Sequence, residues 1–232
     1  MKKLCLLLTP LLGWMCISCA NHSEKEISIF AASSLIEVLP ALLETYETKT
    51  DIDINVVYGG SNHLAAQIND GAPIDLFLTA DVEALSPDIA EASDSVLASN
   101  YVVLATPIGS EKNISGVMDL SRTDLSIAVC AQEVPCGKAA ESLGVSIAAD
   151  TYEPSVRAVI SRLTLGEVDL GVVYATDVIS EPQIISIWPD SPQCPCVDYH
   201  GIAFTPEGED ISQHLSEGTA QAVFTEYGFL TP

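Results

Sequence analysis

Apolar positions along this chain come in short unbroken runs, each followed by a stretch in which they recur at helical spacing. ISIFAA (27–32) is such a run and reads as a buried strand; after it Leu35, Val38, Leu39, Leu42, Leu43 and Tyr46 fall on one helical face. Pro40 sits inside that predicted helix, where it is expected to remove a hydrogen bond and bend the axis. DINVVYG (53–59) is the next strand, SNHLAAQINDG a short helix closed by Gly71, and IDLFLTAD (74–81) a strand again.

The rhythm persists to the end of the chain. YVVLATP (101–107) and LSIAVC (125–130) read as strands, VPCG as a turn, and 138–143 as a helix stopped by Gly144. SVRAVISRLTLGE places Val156, Val159, Ile160 and Leu163 on one helix face. DLGVVYATD (169–177), IISIWP and VDYHGIAFTP (197–206) read as strands, and DISQHLSEGTAQAVFTEYGF as one closing helix. Strands alternating with helices predict an α/β protein with a parallel, doubly wound sheet.

Length and composition allow one large or two small domains: 232 residues, 48% hydrophobic and 18% charged, enough to bury a core and far from disordered or fibrous composition. MKKLCLLLTPLLGWMCISCA has two lysines, a short apolar run broken by Pro10 and Gly13, and then small residues, which together make a secretory signal over 1–19. It is too short and too broken for a spanning helix. Two cuts compete. Cys16-Ile17-Ser18-Cys19 resembles the bacterial lipoprotein signal, with Cys19 lipidated at the new N-terminus, although Cys16 stands where that signal usually has Leu; the rival cut falls after Ala20. Either places the protein outside the cytoplasm, in the periplasm or on the outer face of the membrane. Residues 20–25 form a polar tether, and a lipid on Cys19 is the one membrane contact expected.

Charge removes further classes of partner. The formal net charge is −23, and loss of Lys2 and Lys3 with the signal makes it −25, a poor surface for nucleic acid or anionic lipid. Four cysteines remain beyond the signal: Cys130, Cys136, Cys194 and Cys196. An even number in an exported chain favours disulfides, with three possible pairings. Cys130 with Cys136 closes a short loop and is the first expectation. Cys194-Pro195-Cys196 is too tight for an easy internal bridge, so a crossed pairing between the clusters is the alternative. A zinc site of Cys194, Cys196 and His200 lacks a fourth ligand at normal spacing.

The candidate chemistry lies in four strand-to-helix turns: Ser33-Ser34, Gly60-Ser61, Pro135-Cys136-Gly137 and Pro154-Ser155-Val156. All are small and uncharged, and ligands of open parallel sheets bind beyond the carboxyl ends of the strands, where such turns gather. A helix start offers unpaired N–H groups and about half a positive charge. Several converging starts would hold an oxyanion with no lysine or arginine, with hydroxyls of Ser34 and Ser61 as added donors. The acidic surface does not forbid this, because its field is screened over about 8 Å at physiological salt. The competing reading is local: Ser34 with Glu37 makes a capping box, and Ser61 and Ser155 could likewise cap their own helices. Recurrence of the pattern, and Tyr174 at the end of its strand, favour binding.

Enzyme readings find little support. A secreted serine hydrolase needs a serine with a base in reach, yet the chain has no G-x-S-x-G, and of His22, His63, His200 and His214 only His63 lies near a candidate serine. Gly137-Lys138 lacks the earlier glycine and the following serine or threonine of a phosphate loop.

FAASSL, GGSNHLAAQI, GAPIDLFLTAD, VPCGKAA, PSVRAV and GVVYATD occur in an order that resembles the molybdate-binding extracytoplasmic proteins of ABC-type molybdate importers, over residues 27–229. The resemblance implies a type II periplasmic-binding-protein fold, two doubly wound α/β lobes joined by two crossing strands. Lobe 1 would comprise 26–104 plus 200–232 and lobe 2 105–199, with YVVLATP and VDYHGIAFTP crossing. It implies an oxyanion cage of hydroxyls from Ser34, Ser61 and Tyr174 and backbone N–H groups of Cys136 and Val156, with no direct metal coordination and no cofactor. The implied ligand is molybdate or tungstate, with sulfate or another oxyanion as the alternative. The implied partners are an ABC permease and its ATPase, and the implied state is a monomer. Cys136 replaces the family's usual alanine and Ser155 its usual acidic or amide residue; the first contributes only its backbone, and the second can cap its helix equally well.

Overall fold

The computed structural model describes residues 26–50, 52–90, 94–189 and 196–232; the signal, Cys19 and Cys194 lie outside the described residues. Along the chain, β1 (Glu26–Ala32) leads through a 3-10 turn (Ser33–Leu35) into α1 (Leu39–Thr50), and β2 (Asp53–Gly59) into α2 (Ser61–Asn69). β3 (Leu76–Thr79) leads through another 3-10 turn (Val82–Ala84) into the single-turn α3 (Pro87–Ala90), and the long β4 (Asp94–Pro107) follows. Next come β5 (Ile127–Cys130), α4 (Pro135–Glu141), β6 (Thr151–Glu153), α5 (Val156–Thr164), β7 (Leu170–Tyr174) and α6 (Ala175–Ser180). β8 (Ile184–Trp188), β9 (Cys196–Ala203), α7 (Pro206–Ser216) and α8 (Gly218–Glu226) complete the chain. Among the described residues no helix is long and apolar enough to cross a membrane.

The strands run in the order β2-β1-β3-β9-β4-β7-β5-β6, with β8 also paired to β4. β1, β2 and β3 are parallel, as are β5, β6 and β7, but β9 and β4 run against their neighbours, so the sheet is mixed rather than parallel throughout. Apolar runs carry no direction, which is why the pattern alone does not show the reversal. Two main cores result. One gathers Ile27, Leu39, Leu76, Leu97, Tyr199 and Phe224, the other Leu104, Ile127, Val129, Val159, Leu163 and Val173. β4 passes from the first core at Leu97 and Ala98 to the second at Val102, and β9 from the second at Val197 to the first at Tyr199.

Among the elements that differ from the sequence reading, four do so for a plain local reason, while β4 begins already at Asp94 and α3 and β6 are additional. α1 begins at Leu39, so Pro40 occupies its first turn, where a missing N–H costs nothing; Leu42 N–H bonds Val38 O at 3.1 Å. α4 begins at Pro135 rather than 138, because the fixed φ of a proline suits a first helical position. β7 stops at Tyr174, whose N–H is taken by the Asp177 carboxylate at 2.9 Å, and 175–180 turn helical instead of continuing the strand. The closing helix is two helices, because Glu217 adopts extended backbone (φ −73°, ψ 157°) before Gly218, a poor helix former.

Candidate functional site

The carboxyl ends of both parallel strand sets face one small cavity. Ser34 follows β1, Ser61 follows β2 and Ala80 follows β3, while Cys136 follows β5, Val156 follows β6 and Tyr174 ends β7; all six line it. All five residues singled out from the sequence are thus brought together. The cavity volume is about 20 Å³, room on the order of one or two waters and far below the roughly 300–1,000 Å³ of organic-ligand pockets. No charged side chain is among its lining residues.

Both serine hydroxyls accept a hydrogen bond from the protein. The Tyr199 hydroxyl donates to Ser34 Oγ at 2.8 Å, and the Ala80 N–H donates to Ser61 Oγ at 3.2 Å. Both serine oxygens thus accept from the protein, and each hydroxyl proton can turn to the cavity that its residue lines. Ser34 is therefore not a capping residue: the 3-10 turn has no side-chain cap, and Glu37 pairs with Arg157 at 3.3 Å instead. Ser61 is the first residue of α2, not its cap. Ser155 does cap, accepting the Ala158 N–H at 3.4 Å. Val156 and Cys136 stand first and second in their helices, positions whose N–H groups have no carbonyl one turn back.

Tyr174 completes the wall. Its hydroxyl is buried without a hydrogen-bond partner among the described residues. Burial raises its pKa well above the ordinary phenol value, and Tyr199, Asp177 and Asp81 add to the effect, so it keeps its proton. An unpaired buried donor costs about 1–3 kcal/mol, which an anion in the cavity would recover.

The two halves touch around this cavity. Lys138 Nζ meets Asp81 Oδ2 at 2.6 Å, and Arg157 pairs with Glu37 at 3.3 Å. Gly60 approaches so closely that a Cβ there would lie 2.7 Å from the Pro154 carbonyl oxygen. Cys130 is disulfide-bonded to Cys136 with Cα atoms 5.6 Å apart, as first expected, which excludes the crossed pairing for these two. The bridge ties the end of β5 to the start of α4. Replacing both cysteines by alanine should lower stability by about 2 kcal/mol, the scale for so short a loop, with little loss of anion affinity, because the Cys136 sulfur is taken by the bridge and only its backbone N–H is expected to meet an anion. Denaturant titration and calorimetry check this; a large affinity loss at unchanged stability would make the bridge part of the binding device.

Asp177, which sequence reasoning missed, is buried behind the site. Burial raises its pKa from 3.8 to about 7, against the Tyr174 N–H and Arg157, which lower it, with Glu37 raising it. Between these values the unfolded chain has lost the proton that the folded one retains, so stability falls as pH rises from about 3.8 to about 7. Asp177→Asn keeps an oxygen for the Tyr174 N–H and should remove this slope; thermal melts of both proteins against pH should diverge through that window, and a constant difference would refute the assignment. Tyr199 was also missed. Alternation in VDYHGIA points it inward with Val197, but nothing in the sequence says that it meets Ser34.

Similarity to known proteins is consistent with this geometry. The chain is 30% identical to the molybdate-binding protein ModA of Mycobacterium tuberculosis over 170 residues, covering 69% of this chain, and spans 65% of that relative's length. It is 27% identical to the molybdate-binding protein ModA of Escherichia coli, over 90% of this chain and 89% of the relative. A solved Azotobacter vinelandii periplasmic molybdate-binding protein shares the fold, with TM-score 0.68, 21% identity, and coverage of 89% and 99%. The architecture is thus that of the type II periplasmic-binding proteins. The model for the bacterial extracellular solute-binding proteins matches residues 27–230, almost everything the structure describes, and the chain belongs to that family.

Proposed function

We propose that this protein is an extracytoplasmic receptor for molybdate or tungstate, serving an ABC importer. The observation that carries this reading is the buried, unpartnered Tyr174 hydroxyl in a cavity of about 20 Å³ lined by two serine hydroxyls and no charged side chain. Such a wall suits a bare tetrahedral dianion, for which fixed donors replace the hydration shell. The lobes are 26–104 with 200–232 and 105–199, joined by β4 and β9, and a hinge between them admits the anion. The receptor is exported, and the mass of the processed N-terminus decides whether Cys19 carries a lipid.

Isothermal titration of the mature protein with molybdate, tungstate, sulfate and phosphate at physiological salt tests the reading. Tight one-to-one binding of the first two is the expected result. Sulfate bound in preference would favour the smaller-oxyanion alternative, and silence from all four would leave the hydroxyls without a ligand and overturn the proposal.

A further inference from the structure

Two ion pairs join the halves outside the anion cavity, and each starts on a helix that lines it. Lys138 lies two residues after Cys136 on α4 and meets Asp81, the residue after Ala80, at 2.6 Å. Arg157 follows Val156 on α5 and meets Glu37, three residues after Ser34, at 3.3 Å. In both, the cation belongs to the half built on β5–β7 and the acid to the half built on β1–β3. None of the four side chains lines the anion cavity; Lys138 and Asp81 line a separate cavity of about 400 Å³. Helix electrostatics does not account for Arg157, because the second position of a helix is where the dipole disfavours a cation. Its partner in the other half does.

A third contact joins the same halves. Gly60 adopts φ −64° and ψ 132°, a conformation open to any residue, so its own backbone does not call for glycine. Space does, since a Cβ would lie 2.7 Å from the Pro154 carbonyl oxygen. We propose that Lys138 and Arg157 are positioning residues that hold the starts of α4 and α5, through Asp81 and Glu37, against the serine-bearing half, and that Gly60 gives the clearance for that fit. The inference rests on the oxyanion reading above. The uncharged cavity thus takes part of its grip from charges placed outside it: the pairs touch no anion, but they stabilise the shut arrangement in which Cys136, Val156, Ser34 and Ser61 line one wall. Lys138 is 48% exposed and Glu37 46%, and pairs so exposed are each worth about two- to five-fold in an equilibrium.

Removing the acids tests this, because a clamp and a simple field differ in sign. Charges acting on a bound dianion only through their field would make Glu37→Gln and Asp81→Asn tighten binding, since each takes a negative charge away from it. As clamps, each variant should lose about two- to five-fold in molybdate affinity and the double variant about the product. The loss should appear as faster anion release in stopped-flow mixing, with association little changed. Tighter or unchanged binding overturns the proposal, as does a lowered melting temperature with release unchanged, the mark of a merely structural pair. Glu37 is half exposed, so its variant carries the test if Asp81→Asn does not fold. Gly60→Ala wedges the same seam without altering any charge and should also speed release; release at the wild-type rate would count equally against the fit. Wild-type protein silent to every oxyanion would instead sink the functional reading. Small-angle scattering of the ligand-free proteins then decides the clamp alone: a larger radius of gyration for the double acid variant supports it, and an equal one overturns it.

Discussion

Tyr174→Phe should weaken molybdate binding by about 1.5–3 kcal/mol, or roughly ten- to hundred-fold, while leaving the folded protein as stable as before or slightly more so. The two halves of this expectation come from one fact. The Tyr174 hydroxyl is buried with no partner among the described residues, so the free protein loses no hydrogen bond when it is removed. Only the liganded state loses one. Most substitutions at a fully buried tyrosine lower both stability and function, and the split is therefore diagnostic. Calorimetry paired with thermal melting reads it. Unchanged affinity would place the anion elsewhere, and a drop in stability equal to the drop in binding energy would mean that the hydroxyl supports the fold rather than the ligand.

Gly137→Ala should do the opposite and damage both. A Cβ at Gly137 would lie 1.9 Å from the Ala131 carbonyl oxygen and 2.9 Å from that of Cys130. Both are backbone atoms at the end of β5 and cannot swing aside like a side-chain tip. The start of α4 must move away from the strand, at about 3 kcal/mol or more, the upper end of overpacking costs. Cys136 is its immediate neighbour, so the first-turn N–H proposed to hold the anion moves as well, and affinity should fall together with stability. Gly218→Ala is the matched control: it also starts a helix, but nothing lies within 4 Å of its added Cβ, and alanine favours a helix by about 1 kcal/mol. Equal denaturation midpoints for wild type and Gly137→Ala would show that α4 is not held as closely as its geometry indicates.

How far the sequence could be read depended on the range of the interaction involved. The strand and helix runs were legible because β1 and α5 carry their own periodicity, and the order of six short motifs brought Ser34, Ser61, Cys136, Val156 and Tyr174 together as candidates before any contact was known. The Ser34–Glu37 spacing pointed equally to a capping box, and only the tertiary partners decide between the readings: Tyr199, 165 residues away, for the serine, and Arg157 for the glutamate. Pro40 looked like a break because the apolar face already starts at Leu35, four residues before the helix itself begins at Leu39. Asp177 was invisible for a similar reason. In VVYATD it reads as the polar end of a strand, and its burial follows from the turn that its own carboxylate makes with Tyr174.

The absence of charged groups from the cavity wall has a consequence for unloading. The attraction of a lysine or arginine falls with the first power of distance, so such a residue would go on holding an anion after the halves had begun to part. The helix starts and hydroxyls here act as dipoles, whose attraction for an ion falls with the square of distance, and as hydrogen bonds, which are lost within an ångström. For the anion proposed to sit here, a small opening between α4 or α5 on one side and Ser34 and Ser61 on the other would therefore discard nearly all of the grip at once. In the receptor proposed above, retention would be set by whether the two lobes are shut, and a permease that prised them apart would need no competing charge to take the anion.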